Sequence, residues 1–162
     1  VGSTRVVAGD ADPDAVALAE RNRDALASAG ALRGDVVVRT GDLLGVLAPD
    51  EHGRVDVLVA NPPYLPLADL PDLPPEVADH DPHAALFGGP DGHEVVGRLL
   101  DAATAALAPG GTVLLEIDAR RGDDALARAA AAGLGAARLH ADLTGAPRFL
   151  SARRPGRAAV EG

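Results

Sequence analysis

At 55–60 the chain runs Val-Asp-Val-Leu-Val-Ala and then stops in Asn61, Pro62, Pro63 and Tyr64. An alternating, Val-rich run reads as a strand. Two successive prolines forbid its continuation, because they fix φ, remove two N–H donors and hold the residue before them extended. A strand that meets a rigid turn at a sheet edge is where α/β proteins place their ligand sites. Asn61 to Tyr64 are therefore the first candidates for a reactive lip, against the plainer reading of a tight turn. The turn reading accounts for Asn-Pro but has no need of Pro-Pro-Tyr.

The rest of the chain alternates around this run. Arg5 to Gly9 reads as a short strand passing into Asp10, Ala11, Asp12 and Pro13. Asp12 is placed to cap a helix whose first position is Pro13. Its apolar positions recur at Ala15, Leu18, Ala19, Ala25, Leu26 and Ala29, and Gly30 closes it. Asp35 to Thr40 is a second strand, followed by Gly41, Asp42 and a short apolar segment from Leu43 to Ala48. From Leu65 to Asp91 proline recurs too often for a long helix, which predicts a structureless insert of the kind that forms a lid or binding loop. A helix is expected from Gly92 to Leu107, ended by Pro109, Gly110 and Gly111, then a strand from Thr112 to Ile117 and a helix from Asp123 to Ala132. Ala136 to Asp142 and Arg148 to Arg153 read as two strands joined by a turn over Leu143 to Pro147. The order predicts an α/β fold: a mostly parallel sheet with helices on both faces and an antiparallel hairpin at the carboxyl end. Residues 1–154 form one domain on this reading, and 155–162 a disordered tail.

The chain has 162 residues, enough for one domain with a real core. Its formal net charge of −9 opposes binding to an extended phosphate backbone, which draws on clustered Lys and Arg. The absence of cysteine excludes a disulfide framework and thiolate metal sites, and no apolar run approaches membrane-spanning length. These features are those expected of a cytoplasmic protein with no nucleic-acid or membrane partner.

Among the polar residues, Asp10 lies just past a strand, where a carboxylate can accept from the two hydroxyls of a ribose. The alternative is that Asp10, Asp12 and Asp14 only favour the helix N-terminus electrostatically, and both roles are compatible. The Asp-x-Asp-x-Asp spacing fails as a calcium loop, because Ala15 and Arg21 stand where Gly and a bidentate Glu are required. Asp42 and Leu43, beyond the next strand, can offer a carboxylate acceptor and an apolar side chain to an adenine; Gly-Asp is also an ordinary turn. At the lip, the prolines leave an acceptor-rich corner, the Asn61 side-chain oxygen and nearby carbonyls, suited to a substrate NH₂ group. Tyr64 adds an aromatic face for a planar substrate or a sulfonium. His80 and His83 have metal-like spacing but lack a second ligand pair, so no metal is assigned. Glu116 and Asp118 are either an acid/base pair or, in the case of Glu116, an acceptor for neighbouring loops. Gly88, Gly89 and Gly92 suggest a flexible loop. Arg153, Arg154 and Arg157 read as a solvated basic tail.

Asn-Pro-Pro-Tyr after a strand, the downstream PPEVADHDPHAALFGGPDG, then LAPGGTVLLEI and DLTGAPRFLSARR, resemble the protein-(glutamine-N5) methyltransferases that modify peptide-chain release factors. The resemblance covers nearly the whole chain. It implies a Rossmann-like class I methyltransferase that uses S-adenosylmethionine to methylate a glutamine side chain of a protein, a release factor. On the matching positions Asp10 would hold the ribose, Leu43 would lie against the adenine, and Asn61 would touch both cofactor and target amide. Pro62, Pro63 and Tyr64 would shape the glutamine pocket. The family also has a first strand with a Gly-rich loop, ahead of the position matched by Val1. The chain therefore reads as truncated at its amino end, and unpaired strand backbone is expected beside the missing strand. An amino methyltransferase of a nucleobase or another protein, and a non-catalytic fragment, are the alternatives.

Overall fold

The computed structural model describes residues 4–156. They separate into two compact units, one ending at Glu51 and the other beginning at His52.

The first unit is a β-α-β arrangement. β1 (Arg5–Asp10) pairs in parallel with β2 (Asp35–Thr40), from Arg5 opposite Asp35 to Asp10 opposite Thr40. Between them α1 (Pro13–Ser28) begins as its sequence dictates: the Asp12 side chain accepts from the Asp14 N–H at 2.9 Å, with proline in the first turn. It ends at Gly30, whose φ of +67° lets the Ala31 N–H turn back to the Leu26 carbonyl at 2.9 Å. The expected apolar stripe is only partly covered. The buried residue of α1 is Val16, which that stripe omits, whereas Leu18 and Leu26 are half exposed.

A turn of 3₁₀ helix (Leu43–Val46) folds back on the strand ends. A Cβ at Gly9 would lie 2.7 Å from Val46 Cγ1, and one at Gly41 2.8 Å from the same atom, so the valine occupies the space those glycines leave. Glu51 ties the segment down, accepting from Arg39 at 2.5 and 3.1 Å, from Arg5 at 3.0 Å and from the Ala48 N–H at 2.7 Å. The Arg39 bond, helped by Ala48, holds its carboxyl at about 2, below the ordinary 4.5. A depressed carboxyl stabilises the fold fully above its ordinary value and loses that contribution as pH falls toward the folded value. In Glu51→Gln we expect a lower melting temperature at neutral pH and a shallower further decline between about pH 5 and pH 2 than in the wild type. Parallel wild-type and variant curves of melting temperature against pH would contradict this role.

The second unit is built on a four-stranded sheet in the order β3 (Val55–Ala60), β4 (Leu107–Glu116), β6 (Pro147–Arg153), β5 (Gly135–Ala141). β3 and β4 are parallel, and β6 is antiparallel to both of its neighbours, as expected for a closing hairpin. α4 (Glu94–Ala106) packs on β4 and buries Val96, Leu99, Leu100, Ala103 and Ala106 as a helical stripe, while Val113, Leu115 and Leu150 are buried in the sheet. Each fully buried leucine there is worth about 1.5–3 kcal/mol. α5 (Gly122–Ala131) packs beside α4, joined by the Arg128–Asp101 ion pair and by the Thr104 hydroxyl donating to the Ala132 carbonyl at 2.7 Å.

Two expectations are corrected in this unit. The segment after Tyr64 is not structureless: it forms a 3₁₀ turn (Leu67–Asp72) and two single-turn helices, α2 (Pro75–Ala78) and α3 (His83–Leu86), each opened by a proline at or just before its first residue. Pro109 to Gly111 do not separate helix from strand but form a bulge inside β4, where Val55 and Val57 of β3 face Leu107 and Thr112. Among the described residues β1 has only β2 as a partner and β3 only β4. Of the tail expected over 155–162, only Pro155 and Gly156 lie within the described residues.

Candidate active site

The four residues of the lip leave the carboxyl end of β3, with Asn61 exposed, Pro62 buried, and Pro63 and Tyr64 half-buried. With no N–H to offer at 62 or 63, the lip cannot be held by a sheet ladder. It is held one residue later. The Leu65 N–H donates to the Leu86 carbonyl at 3.0 Å and the Gly88 N–H to the Leu65 carbonyl at 3.0 Å, a parallel bridge that brings the end of the insert against its beginning. The Glu94 N–H donates to the Gly88 carbonyl at 2.8 Å, which fastens the bridge to the start of α4.

The glycines here are not a flexible loop. A Cβ at Gly88 would stand 2.5 Å from the Pro63 carbonyl oxygen, and one at Gly92 2.4 Å from that of Tyr64. Gly92 also has a φ of +79°. Backbone lies directly against backbone, and only glycine permits it. The sequence showed the glycines but not their contact.

Tyr64 reaches across to β4, where its hydroxyl donates to Glu116 Oε1 at 2.8 Å. Burial, then the bond to Glu116 and its charge, push the phenol above its ordinary 10, with Arg148 acting in the opposite sense. Glu116 is thus an acceptor for a neighbouring loop and not one half of an acid/base pair. Asp118, the other half, is buried and gripped by Arg120, whose Nε lies 2.9 Å from both carboxylate oxygens. Burial opposes ionisation of Asp118, but the Arg120 bonds prevail and hold its carboxyl below the ordinary range. The same guanidinium binds Asp69, so it pins the 3₁₀ turn of the insert to the end of β4. Behind Tyr64, a void bounded by Gly92, His93, Ile117 and Ala125 has a volume of about 10 Å³, room for one water at most. A larger cavity of about 320 Å³, lined by Gly53, Pro109 and Arg154, lies away from the lip.

His83 meets Phe87 edge to face at 5.4 Å, and His93, just past the insert, lies 3.4 Å from Asp124.

The first unit brings the other candidates together at the carboxyl ends of its own strands. The Gly41 N–H donates to the Asp10 carbonyl at 2.9 Å, which sets Asp42 and Leu43 beside the end of β1. The Asp10 side chain is exposed and accepts from the Asp12 N–H at 2.9 Å through one oxygen. Leu43 has a φ of +48°, in the left-handed region that leucine rarely adopts. Nothing in its sequence neighbourhood announces that strain.

Comparison with known proteins gives the site its context. No protein-family model matches the chain. A release factor glutamine methyltransferase of Deinococcus radiodurans is 42% identical over 157 residues, 96% of this chain and 52% of that protein. One from Streptomyces coelicolor is 37% identical over 155 residues, 95% of this chain and 52% of that protein. The chain spans about half the length of the curated relatives it matches. Among solved structures, a methyltransferase from Pyrococcus furiosus aligns with a TM-score of 0.61 at 21% identity, covering 93% of this chain and 63% of that one. A predicted O-methyltransferase from Agrobacterium tumefaciens aligns with a TM-score of 0.55 at 14% identity, covering 94% and 64%. The fold is that of a Rossmann-like class I methyltransferase.

Proposed function

We propose that this chain, a homologue of release factor glutamine methyltransferases over about half of their length, carries catalytic machinery for methylating a protein glutamine. The methyl group comes from S-adenosylmethionine, the acceptor is the side-chain amide nitrogen, and the substrate protein is a peptide-chain release factor. The observation that supports this most is the rigid lip at the end of β3. Its prolines leave acceptors and remove donors, the arrangement a substrate NH₂ group requires. On this reading residues 1–154 are the catalytic domain, in part, and the setting is the cytoplasm.

S-adenosylmethionine, when bound, supplies a methyl group already activated by its sulfonium, so the chain needs no covalent nucleophile. What its residues do is orient and exclude. Asn61 accepts from the amide hydrogens and aligns the nitrogen lone pair; Pro62, Pro63 and Tyr64 wall the amide from water. Asp10, with a carboxylate oxygen beyond the one committed to Asp12, suits the ribose hydroxyls, and Asp42 and Leu43 suit the adenine. The left-handed backbone of Leu43 fits that role, since strain of this kind gathers at ligand sites. The acidic net charge favours a protein over a nucleobase as acceptor.

Titration calorimetry with S-adenosylmethionine tests the cofactor half. Asp10→Ala is expected to weaken binding about 10- to 100-fold, the worth of hydrogen bonds to a charged group. Asp12→Ala, which removes the helix cap, should lower stability by about 1 kcal/mol and leave affinity unchanged. Equal affinities for wild type and Asp10→Ala would remove Asp10 from the site.

A further inference from the structure

We propose that Glu116 and Arg148, with Asp142 behind Arg148, are positioning residues that fix the ring of Tyr64 at the lip. The consequence for catalysis rests on the methyltransferase reading; the anchor itself does not.

The anchor is built by three separate segments. Glu116 ends β4 and is paired with Phe149 of β6, and the Ile117 N–H donates to the Arg148 carbonyl at 2.9 Å. Arg148 therefore adjoins Phe149, the residue paired with Glu116. Glu116 accepts the Tyr64 hydroxyl proton at 2.8 Å, and the Arg148 guanidinium acts on the same phenol, opposing its rise. The phenol thus faces a carboxylate that takes its proton in a hydrogen bond and a cation that acts in the opposite sense.

Arg148 is itself held. Its Nε donates to Asp142 Oδ2 at 3.1 Å. The other carboxylate oxygen of Asp142 accepts from the Thr144 N–H at 2.8 Å, the Thr144 hydroxyl at 2.6 Å and the Ala146 N–H at 3.1 Å. These bonds close the hairpin turn around Gly145, whose φ is +89°, and they give the Asp-Leu-Thr-Gly-Ala-Pro-Arg stretch a purpose that the lip alone does not explain. The turn stiffens Asp142, Asp142 aims Arg148, and Arg148 with Glu116 sets Tyr64. Because the hydroxyl is committed to the sheet, Tyr64 presents its ring face to the substrate and not a hydrogen-bond donor.

The chain has one tyrosine and no tryptophan, so phenolate absorbance reports on Tyr64 alone. In this chain, Glu116→Gln, which keeps the shape and removes the charge, should move the phenol titration down toward about 10, and Arg148→Met should move it up. Midpoints that stay at the wild-type value in both variants would overturn the anchor, whatever the enzyme's reaction. The functional half uses the full-length gene product and a release-factor substrate. Glu116→Gln and Tyr64→Phe should each raise KM for the acceptor about 5- to 20-fold, with S-adenosylmethionine affinity and melting temperature near wild type. An unchanged acceptor KM in Glu116→Gln would overturn the positioning role and leave the methyltransferase reading standing. A wild-type enzyme that transfers no methyl would instead overturn that reading, while the phenol titration still decides the anchor.

Discussion

Asn61→Ala is expected to reduce methyl transfer about 100- to 1000-fold without loss of stability, because the two properties of Asn61 are separable. Asn61 is exposed at the end of β3, so truncating it removes little packing, and surface substitutions of this kind usually stay within about 0.5 kcal/mol. Alanine also accepts the extended geometry that Pro62 imposes on its predecessor. On the proposed function, the substitution removes the side-chain oxygen that would align the acceptor nitrogen. Misplacement of a reacting group by about 1 Å costs roughly 100-fold, and a lost preorganised polar contact costs about as much. Initial rates with release factor, paired with thermal melts, check both halves. Rates within a few-fold of wild type would mean that the lip grips the amide by other atoms.

The second large effect is expected at a residue without a side chain. In Gly92→Ala the new Cβ would fall 2.4 Å from the Tyr64 carbonyl oxygen and 3.0 Å from the Pro66 nitrogen, on a backbone with φ +79°. Both neighbours are main chain and cannot rotate aside, so the lip itself has to move. A left-handed non-glycine residue costs about 1–2 kcal/mol, and overpacking a further 1–3 kcal/mol. We therefore expect a loss of about 2–5 kcal/mol in unfolding free energy. Gly133→Ala provides the comparison, since Gly133 has φ +80° and nothing within 4 Å of its Cβ position. It should show the conformational cost alone, about 1–2 kcal/mol. The excess at Gly92 measures the clash, and methyl transfer should fall with it. Equal losses at the two glycines, by denaturant unfolding, would show that the close approach does not hold the lip.

How much of this was legible beforehand depends on the range of the interaction. The Asp12–Pro13 start and Gly30 end of α1, the strand that stops at Ala60 and the closing hairpin are written in neighbouring residues, and the structure follows them. The sequence also supplied Glu116 as an acceptor for a loop, without saying which loop. What it did not supply is contact between distant backbones. Gly88 and Gly92 look like any pair of loop glycines until the carbonyls of Pro63 and Tyr64 are placed against them. The prolines between Leu65 and Asp91 forbid a long helix, yet they can begin short ones, as at α2 and α3. The α1 stripe was read from periodicity, which placed it at Leu18 and Leu26, both half exposed, and passed over Val16, the residue that is buried. Leu43 shows the same limit: its left-handed φ is not one that leucine favours, and nothing in the neighbouring residues signals it.

The central claim is that Asn61 to Tyr64 hold a glutamine amide for methylation. It is tested most directly by incubating the full-length gene product with S-adenosylmethionine and a peptide-chain release factor and locating the added methyl by fragmentation mass spectrometry. The account predicts a single methyl on the side-chain nitrogen of one glutamine, absent when Asn61→Ala replaces the wild type. A methyl found on any other residue type, or an unmodified release factor with active cofactor binding, would contradict it.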